Sequence, residues 1–296
     1  MKSYQGKKVL VTGGAGFIGS HVVEKLVELK AHVTVLDNLS TGNKENLTQI
    51  SDKITFIDGD IRNQNLCMEA LEGCSVVFHL AAQVSVPESV ENPRLCFETN
   101  VTGTFNLLEA ARQHNIERFI FSSSCAVYGD QGKPCDESLE CRPSSPYAWS
   151  KLSGEQLCRQ YSETFMLPTV CLRYFNVFGP RQHPHSEYSG VIAKFTERMK
   201  HGHPITIFGD GRQTRDFVPV EQVVHANLAS ALLAPELCTG EPINVATGIS
   251  RSILELFTCL KDEFGYEAEP LFEPARTGEI THSQADCRRY RQLLQA

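Results

Sequence analysis

Residues 8–37 constrain the fold of this chain more than any other stretch. Lys8-Val9-Leu10-Val11-Thr12 reads as a short buried strand, and Gly13, Gly16 and Gly19 follow it at three-residue spacing. His21 to Lys30 then carries Val22, Val23, Leu26, Val27 and Leu29 as the apolar stripe of a helix, and His32-Val33-Thr34-Val35-Leu36 is a second strand ending in Asp37. Glycines at those places let the turn tighten, a pyrophosphate approach the backbone and the helix pack on the strand. The helix N-terminus offers unpaired N–H groups to phosphate. Asp37 lies 18 residues past Gly19, where a carboxylate can bond adenosine ribose hydroxyls and repel a 2′-phosphate. The unit therefore reads as a site for NAD rather than NADP.

The alternation continues. Ile54 to Ile57 leads to Asp60-Ile61, Ser75 to Leu80 leads to Ala81-Ala82, Asn100 to Gln113 is helical, and Arg118 to Phe121 leads to Ser122-Ser123-Ser124. Continuous apolar strands alternating with helices predict an α/β fold built on a doubly wound parallel sheet. Ligands of such sheets bind at the carboxyl ends of the strands, where Ala81, Ser122 and Ser124 fall. From about Phe175 onward, loops rich in Gly, Pro and His alternate with expected helices at 188–201, 219–234 and 251–264. This organisation predicts a nucleotide-binding domain over 1–174 and a smaller lobe over 175–296 that is interleaved with it.

A second constellation is Tyr147 and Lys151, one helical turn apart and on one face. Ser145-Pro146 in front of them is a helix start, Ser as N-cap and Pro at the first helical position. A free tyrosine ionises near pH 10, and a neighbouring cation favours the phenolate; lowering that value by about 3 units requires roughly 4 kcal/mol. A Tyr and a Lys four apart are commonplace on helix surfaces. The nucleotide-binding start upstream and Ser124 at a strand end between the two regions are what turn the pair into a candidate catalytic set.

Bulk properties exclude several function classes. The chain has 296 residues, is 41% hydrophobic and 21% charged, and has a net charge of −7. This is ordinary globular composition, with no electrostatic footprint for nucleic acid or anionic membrane. Val9-Leu10-Val11 is too short for a signal-peptide core or a membrane span. The 11 cysteines contain no C-x-x-C pair, which argues against a disulfide framework or zinc site and for a reducing, cytoplasmic setting. His183/His185 and His201/His203 lie beside prolines without a Cys or acidic ligand at suitable spacing, so they read as solvated loop histidines and no metal is expected.

These segments together resemble the extended short-chain dehydrogenase/reductase superfamily, in its NAD-dependent nucleotide-sugar epimerase/dehydratase branch. The resemblance spans about Lys8 to Asp286 and rests on GGAGFIGSH at 13–21, HLAAQVSVPES at 79–89, FSSSCAVYGD at 121–130, SPYAWSK at 145–151, RYFNVFGPRQ at 173–182, GDGRQTRDFVPVEQV at 209–223 and ARTGEITHSQAD at 275–286. It implies a Rossmann-type domain and a C-terminal substrate-binding lobe. By position it makes Ser124, Tyr147 and Lys151 the catalytic set. It lines the cofactor with Gly13, Gly16, Phe17, Ile18, Gly19, Asp37, Asn38, Asp60, Ile61, Leu80, Ala81, Ala82, Asn100, Ser122 and Tyr174, besides Tyr147 and Lys151. Asn100 is equally readable as a helix N-cap. Asn176, Arg215 and Arg276 take the places that hold a substrate diphosphate, a task suited to guanidinium forks. Val191 and Ser283 fall on the sugar nucleotide, and Ser85 on either a sugar hydroxyl or a capping role. Ile205-Thr206-Ile207-Phe208 reads as flanking the uracil or as plain core. The resemblance also implies a homodimer through helices near 100–114 and 147–165. Chains of this branch commonly run further past Ala285-Asp286 than this one, which ends at Ala296, and the further residues would form a closing helix of the substrate lobe.

Members of the branch oxidise a sugar carbon and then diverge. The dehydratases resemble one another in carrying Asp-Glu after the Ser or Thr of this strand end, and the decarboxylases a Glu. Here Cys125-Ala126 follows Ser124 and cannot move the required protons, which favours an epimerase. In the 4-epimerase branch, a Tyr at the position of Ser283 restricts the site to unsubstituted hexoses, whereas a small residue admits an N-acetyl group. The expected reaction is NAD-dependent C4 epimerisation of a UDP-hexose through a 4-keto sugar, with UDP-N-acetylglucosamine favoured and UDP-glucose possible. The competing readings are a UDP-glucuronate 4-epimerase or another oxidoreductase of the branch, and a non-catalytic NAD-sensing protein.

Overall fold

A computed structural model of the chain describes residues 4–182, 190–275 and 281–295. Its strands are β1 (Lys8–Thr12), β2 (His32–Asp37), β3 (Ile54–Asp58), β4 (Val76–His79), β5 (Arg118–Ser124), β6 (Thr169–Tyr174), β7 (Asn176–Phe178), β8 (Thr206–Phe208), β9 (Thr214–Pro219), β10 (Thr239–Val245), β11 (Ser250–Ser252) and β12 (Leu271–Glu273). The helices are α1 (Phe17–Glu28), α2 (Gln64–Ala70), α3 (Val86–Glu91), α4 (Pro93–Phe97), α5 (Gly103–Gln113), α6 (Pro146–Phe165), α7 (Val191–Lys200), α8 (Val220–Ala231), α9 (Ile253–Phe264) and α10 (Arg288–Leu294).

Seven strands form one all-parallel sheet in the order β3-β2-β1-β4-β5-β6-β10. Alternation along each strand divides its side chains between two buried layers. Val9 and Val11 face Val22, Val23 and Leu26 of α1 and Val223 and Val224 of α8, whereas Leu10 faces the layer that holds Leu71, Leu107, Leu108, Cys158 and Tyr161. Helices on both faces make the sheet doubly wound, and its strand ends converge on one rim. A separate core of Phe195, Met199, Ile205, Ile207, Ile253, Leu256, Phe257, Leu260 and Tyr266 builds the smaller C-terminal lobe. That lobe also carries the three-stranded sheet β11-β9-β7 and the pair β12-β8.

The strands expected in the first half are present, with β5 running on to Ser124. The helices expected at 188–201, 219–234 and 251–264 are α7, α8 and α9, the first two shorter at both ends and α9 only at its start. Two sheet members were not foreseen, β6 and β10. The second lies beyond much of the small lobe in sequence and returns to the large sheet, so the chain re-enters the first layer after leaving it. Pro242 is tolerated in β10 because that strand is a sheet edge, and the pairing register shifts between Thr239 and Pro242.

Candidate active site

The turn after β1 is closed by contacts that only glycine can make. Gly13 has φ +69, and a Cβ there would stand 2.6 Å from the Ala81 nitrogen; one on Gly19 would stand 2.1 Å from the Gly13 oxygen. Gly16 is the N-cap of α1 and supplies no side-chain cap, so the first turn, with Phe17, Ile18 and Gly19, presents its N–H groups toward the strand rim. Asp37 ends β2. Its carboxylate accepts from the Ala15 N–H at 2.9 Å and the Leu39 N–H at 2.8 Å, which leaves acceptor capacity on both oxygens. Burial pushes its pKa up, against those two bonds. Asn38 donates to Asp60 at 3.0 Å, and Arg62 grips the same carboxylate and holds it below the usual range. Ile61 is buried against Gly103, and Leu80, Ala81 and Ala82 leave β4 half-buried beside the glycine turn. A backbone cradle that no Cβ can enter, an uncapped helix start and a carboxylate at the end of β2 fit an adenine dinucleotide.

Asn100 is buried but is not an N-cap. Helix runs without a break from Pro93 to Gln113, through a π turn at Glu98–Thr102, and Asn92 caps its start. The Asn100 amide instead accepts from Gln83 N at 2.8 Å and donates to Gln83 O and Ser150 Oγ, both at 2.9 Å. Ser122 and Tyr174 are joined through their hydroxyls at 3.0 Å, and Asn227 donates to the Tyr174 oxygen at 2.8 Å; burial raises the Tyr174 phenol to about 12.

Ser124, Tyr147 and Lys151 meet where β5 ends and α6 begins. Ser145 caps α6 as expected, accepting from Ala148 N at 3.2 Å, with Pro146 at its first position. Ser124 caps the short turn that follows β5, accepting from Ala126 N, and is hydrogen-bonded to the Tyr147 side chain. Lys151 donates to the Ser122 carbonyl at 2.8 Å, with its Nζ 5.9 Å from the centre of the Tyr147 ring. The electrostatics correct the expectation of a Lys-stabilised phenolate. In the chain by itself, burial lifts the Tyr147 phenol to about 12, only partly opposed by the Ser124 bond. Burial also lowers Lys151 to about 8. Desolvation penalises the charged form of each and is the largest cause of both shifts.

The sequence analysis left two contributors unread. Ser89 of α3 is fully buried and accepts from the Tyr147 N–H at 3.2 Å, while Ser150 donates to the Tyr147 carbonyl at 2.7 Å. Both backbone polar groups of Tyr147 are therefore held by hydroxyls. Ser89 sits inside SVPES, a segment whose pattern marks a turn without saying which helix it touches.

On the substrate side, β7 pairs with β9 so that Asn176 stands opposite Phe217, two residues from Arg215, and the Asn176 amide donates to the Asp216 carbonyl at 3.2 Å. Arg215 is half-buried and donates to the Thr214 carbonyl at 2.9 Å. Ser283 is nearly buried, and its N–H donates to that same carbonyl at 3.0 Å. Asn176, Arg215 and Ser283 are thus brought to one small sheet. Asp216 is fully buried and accepts from the backbone N–H groups of Thr247 and Gly248 and from the Thr247 hydroxyl, which locks β9 in place. Ser85 caps α3, accepting from Glu88 N at 3.0 Å. Val191 opens α7 in the small lobe. Ile205 and Ile207 are core, whereas Thr206 and Phe208 between and after them are half-buried. Arg276, His183 and His185 lie outside the described residues; His201 pairs with Glu197 at 3.1 Å.

Comparison with known proteins gives the family. Residues 9–246 match the NAD dependent epimerase/dehydratase family. The chain belongs to that family and is an NAD-dependent enzyme of the epimerase/dehydratase class. It is 40% identical over 292 residues to a UDP-glucose 4-epimerase of Mycolicibacterium smegmatis, a match that covers 97% of this chain and 92% of the relative. Among solved structures, it superposes on the UDP-N-acetylglucosamine 4-epimerase of Methanobrevibacter ruminantium with a TM-score of 0.93 and 40% identity, over 98% of this chain and 92% of that one. The UDP-glucose 4-epimerase of Thermotoga maritima gives a TM-score of 0.92 and 39% identity, over 97% and 92%.

Proposed function

We propose that this enzyme interconverts UDP-sugars that differ in configuration at C4, with UDP-N-acetylglucosamine as its favoured substrate. The observation that carries the reading is the meeting of Ser124, Tyr147 and Lys151 at the β5 rim, beside the glycine cradle, with Cys125-Ala126 where a dehydratase would need a proton-moving pair. Bound NAD would supply the hydride acceptor and, once the sugar has turned, the donor.

Tyr147 takes the proton from the sugar O4, directly or through the Ser124 hydroxyl to which it is bonded. The cost of charging a buried phenol falls on the occupied site, where ligand charge and Lys151 both act on it. Lys151, anchored on the Ser122 carbonyl, would bond the nicotinamide ribose. Arg215 and Asn176 hold the diphosphate, Arg276 is proposed to join them, and the 4-keto sugar turns about that linkage to present its other face. Ser283 leaves room for an N-acetyl group. A homodimer through α5 and α6 is part of the same reading, supported by Phe105, Trp149 and Phe165, which stand exposed on these two helices. The nucleotide half, 1–174, and the substrate half, 175–296, divide these tasks. Among the described residues no helix is long and apolar enough to cross a membrane.

The test is proton NMR of the purified protein with UDP-N-acetylglucosamine and, in parallel, UDP-glucose, without added NAD. Appearance of the galacto epimer of the N-acetyl sugar is expected. Conversion of UDP-glucose alone refutes the role of Ser283, and conversion of neither, with NAD then added, refutes the reaction.

A further inference from the structure

His79, the last residue of β4, is 2% exposed and plays no part in the chemistry above. Its Nδ1 lies 2.8 Å from Thr12 Oγ1 and its Nε2 2.8 Å from Thr104 Oγ1. Thr104 has one hydroxyl hydrogen and gives it to the Asn100 carbonyl at 2.6 Å, an atom that can only accept. Toward His79, Thr104 can therefore only accept, which places a hydrogen on Nε2. At the other end, Thr12 Oγ1 accepts from the Ala81 N–H at 3.2 Å and so has its own hydrogen to give to Nδ1. The inventory of protons closes in one way: Thr12 to His79, His79 to Thr104, Thr104 to Asn100. A doubly protonated ring would deprive the Thr12 hydrogen of its Nδ1 acceptor. Burial, with Lys151 adding to it, pushes the His79 pKa down to about 3, in the same direction.

The chain of bonds continues into the site. Asn100 holds both backbone groups of Gln83, and through Ser150 it reaches the carbonyl of Tyr147. We propose that His79 is a positioning residue, a strut fixed in its Nε2–H tautomer that ties the β1 turn and the Ala81–Gln83 wall of the cofactor site to the peptide of Tyr147. The strut explains why a polar ring is retained between Phe119 and Phe121, whose rings lie 5.9 and 5.7 Å from it, in an otherwise apolar layer. Its activity readout rests on the epimerase reading, and its spectroscopic readout does not.

Long-range proton–nitrogen NMR of the NAD-loaded enzyme, with His79 assigned by its loss in His79→Phe, should find a bare Nδ1 and a protonated Nε2 that do not change between pH 5 and 8. An Nδ1–H tautomer, or a ring that titrates in that range, overturns the proposal. A misplacement of about 1 Å costs on the order of 10²-fold in rate, so His79→Phe, which fills the space without either bond, should lose about tenfold or more in kcat with KM for the sugar nucleotide within about twofold. His79→Gln, whose amide can still donate to Thr104, should recover part of that loss. A lowered Tm with unchanged kcat would make the residue merely structural and overturn the proposal. If His79→Phe fails to fold, the assignment is made with His79→Gln.

Discussion

Replacing Glu155 should expose how much of α6 is held by one buried charge pair. Its carboxylate is 4% exposed and accepts from Arg173 Nε at 2.9 Å, Arg173 Nη2 at 2.7 Å and Ser123 Oγ at 2.5 Å. The Arg173 guanidinium is equally buried and lies 4.6 Å from the centre of the Tyr128 ring. Burial works against its charge, but the Glu155 contacts outweigh burial and leave its pKa raised. Glu155→Gln keeps the shape and removes the compensating charge, which strands a guanidinium in the core. Breaking a buried pair from one side costs about 3–5 kcal/mol, whereas exchanging both partners for apolar groups of similar volume is close to neutral. For a chain of this length, 4 kcal/mol corresponds to roughly 6 °C in Tm. Equilibrium urea unfolding of Glu155→Leu, Arg173→Met and the double variant Glu155→Leu/Arg173→Met measures the cycle, with Glu155→Gln as the charge-only control. The double variant should be more stable than Glu155→Gln by about 2 kcal/mol or more. A single variant that costs under about 1 kcal/mol, or a double variant no better than the single, would refute the reasoning, because the guanidinium would then not depend on Glu155.

Tyr147→Phe should abolish turnover while the purified protein keeps its NAD, read as cofactor released on denaturation; undiminished turnover would remove Tyr147 from the mechanism. Gly13→Ala should lose bound NAD, since its Cβ meets the Leu80–Ala81 backbone at 2.6–2.9 Å in a left-handed conformation; full NAD occupancy in that variant would contradict the cradle. Ser283→Tyr should reduce turnover of UDP-N-acetylglucosamine about tenfold or more and spare UDP-glucose; equal losses would show the position to be unselective. Lys151 has its folded pKa depressed from 10.5 to about 8, so between those values the unfolded chain holds the proton that the folded chain has released. In the cofactor-free protein this group should therefore raise stability as pH climbs from about 8 toward 10.5, and relative to wild type Lys151→Met should lack that rise in denaturant titrations at several pH values.

Most of the nucleotide half was legible because each of its elements announces itself locally. Gly13 to Asp37 needs only strand periodicity, glycine spacing and one acid, and the structure returns those residues to the strand rim. Ser145-Pro146 is an equally local signal and caps α6 as read. What escaped depends on burial and on partners far away in sequence. β10 carries Gly240 and Pro242, which obscure a strand pattern, and its place at the edge of the sheet is what accommodates them. The Asn100 position looked like a helix start because nothing in the residues indicates that a π turn joins the helix before it to the helix after it. Ser89 and Ser150 are small polar residues whose partner, the Tyr147 peptide, is defined by tertiary packing alone. The raised Tyr147 pKa of the chain by itself is illegible for a related reason: spacing reveals a neighbouring cation, but not the depth at which the phenol lies.

The position of β10 also orders events in time. Until residues 239–245 have left the ribosome, β6 has one bare edge, with its backbone groups unpaired along a row of buried side chains. Parallel pairing offers no hairpin shortcut, and the segments that build much of the small lobe lie between the two strands in the chain. At about 5–20 residues per second, the nascent enzyme spends several seconds with a nearly finished sheet that can recruit a foreign strand. Synthesis that stalls within the small lobe should therefore be the most aggregation-prone stage in the life of this protein, and a chaperone would find its handle on β6.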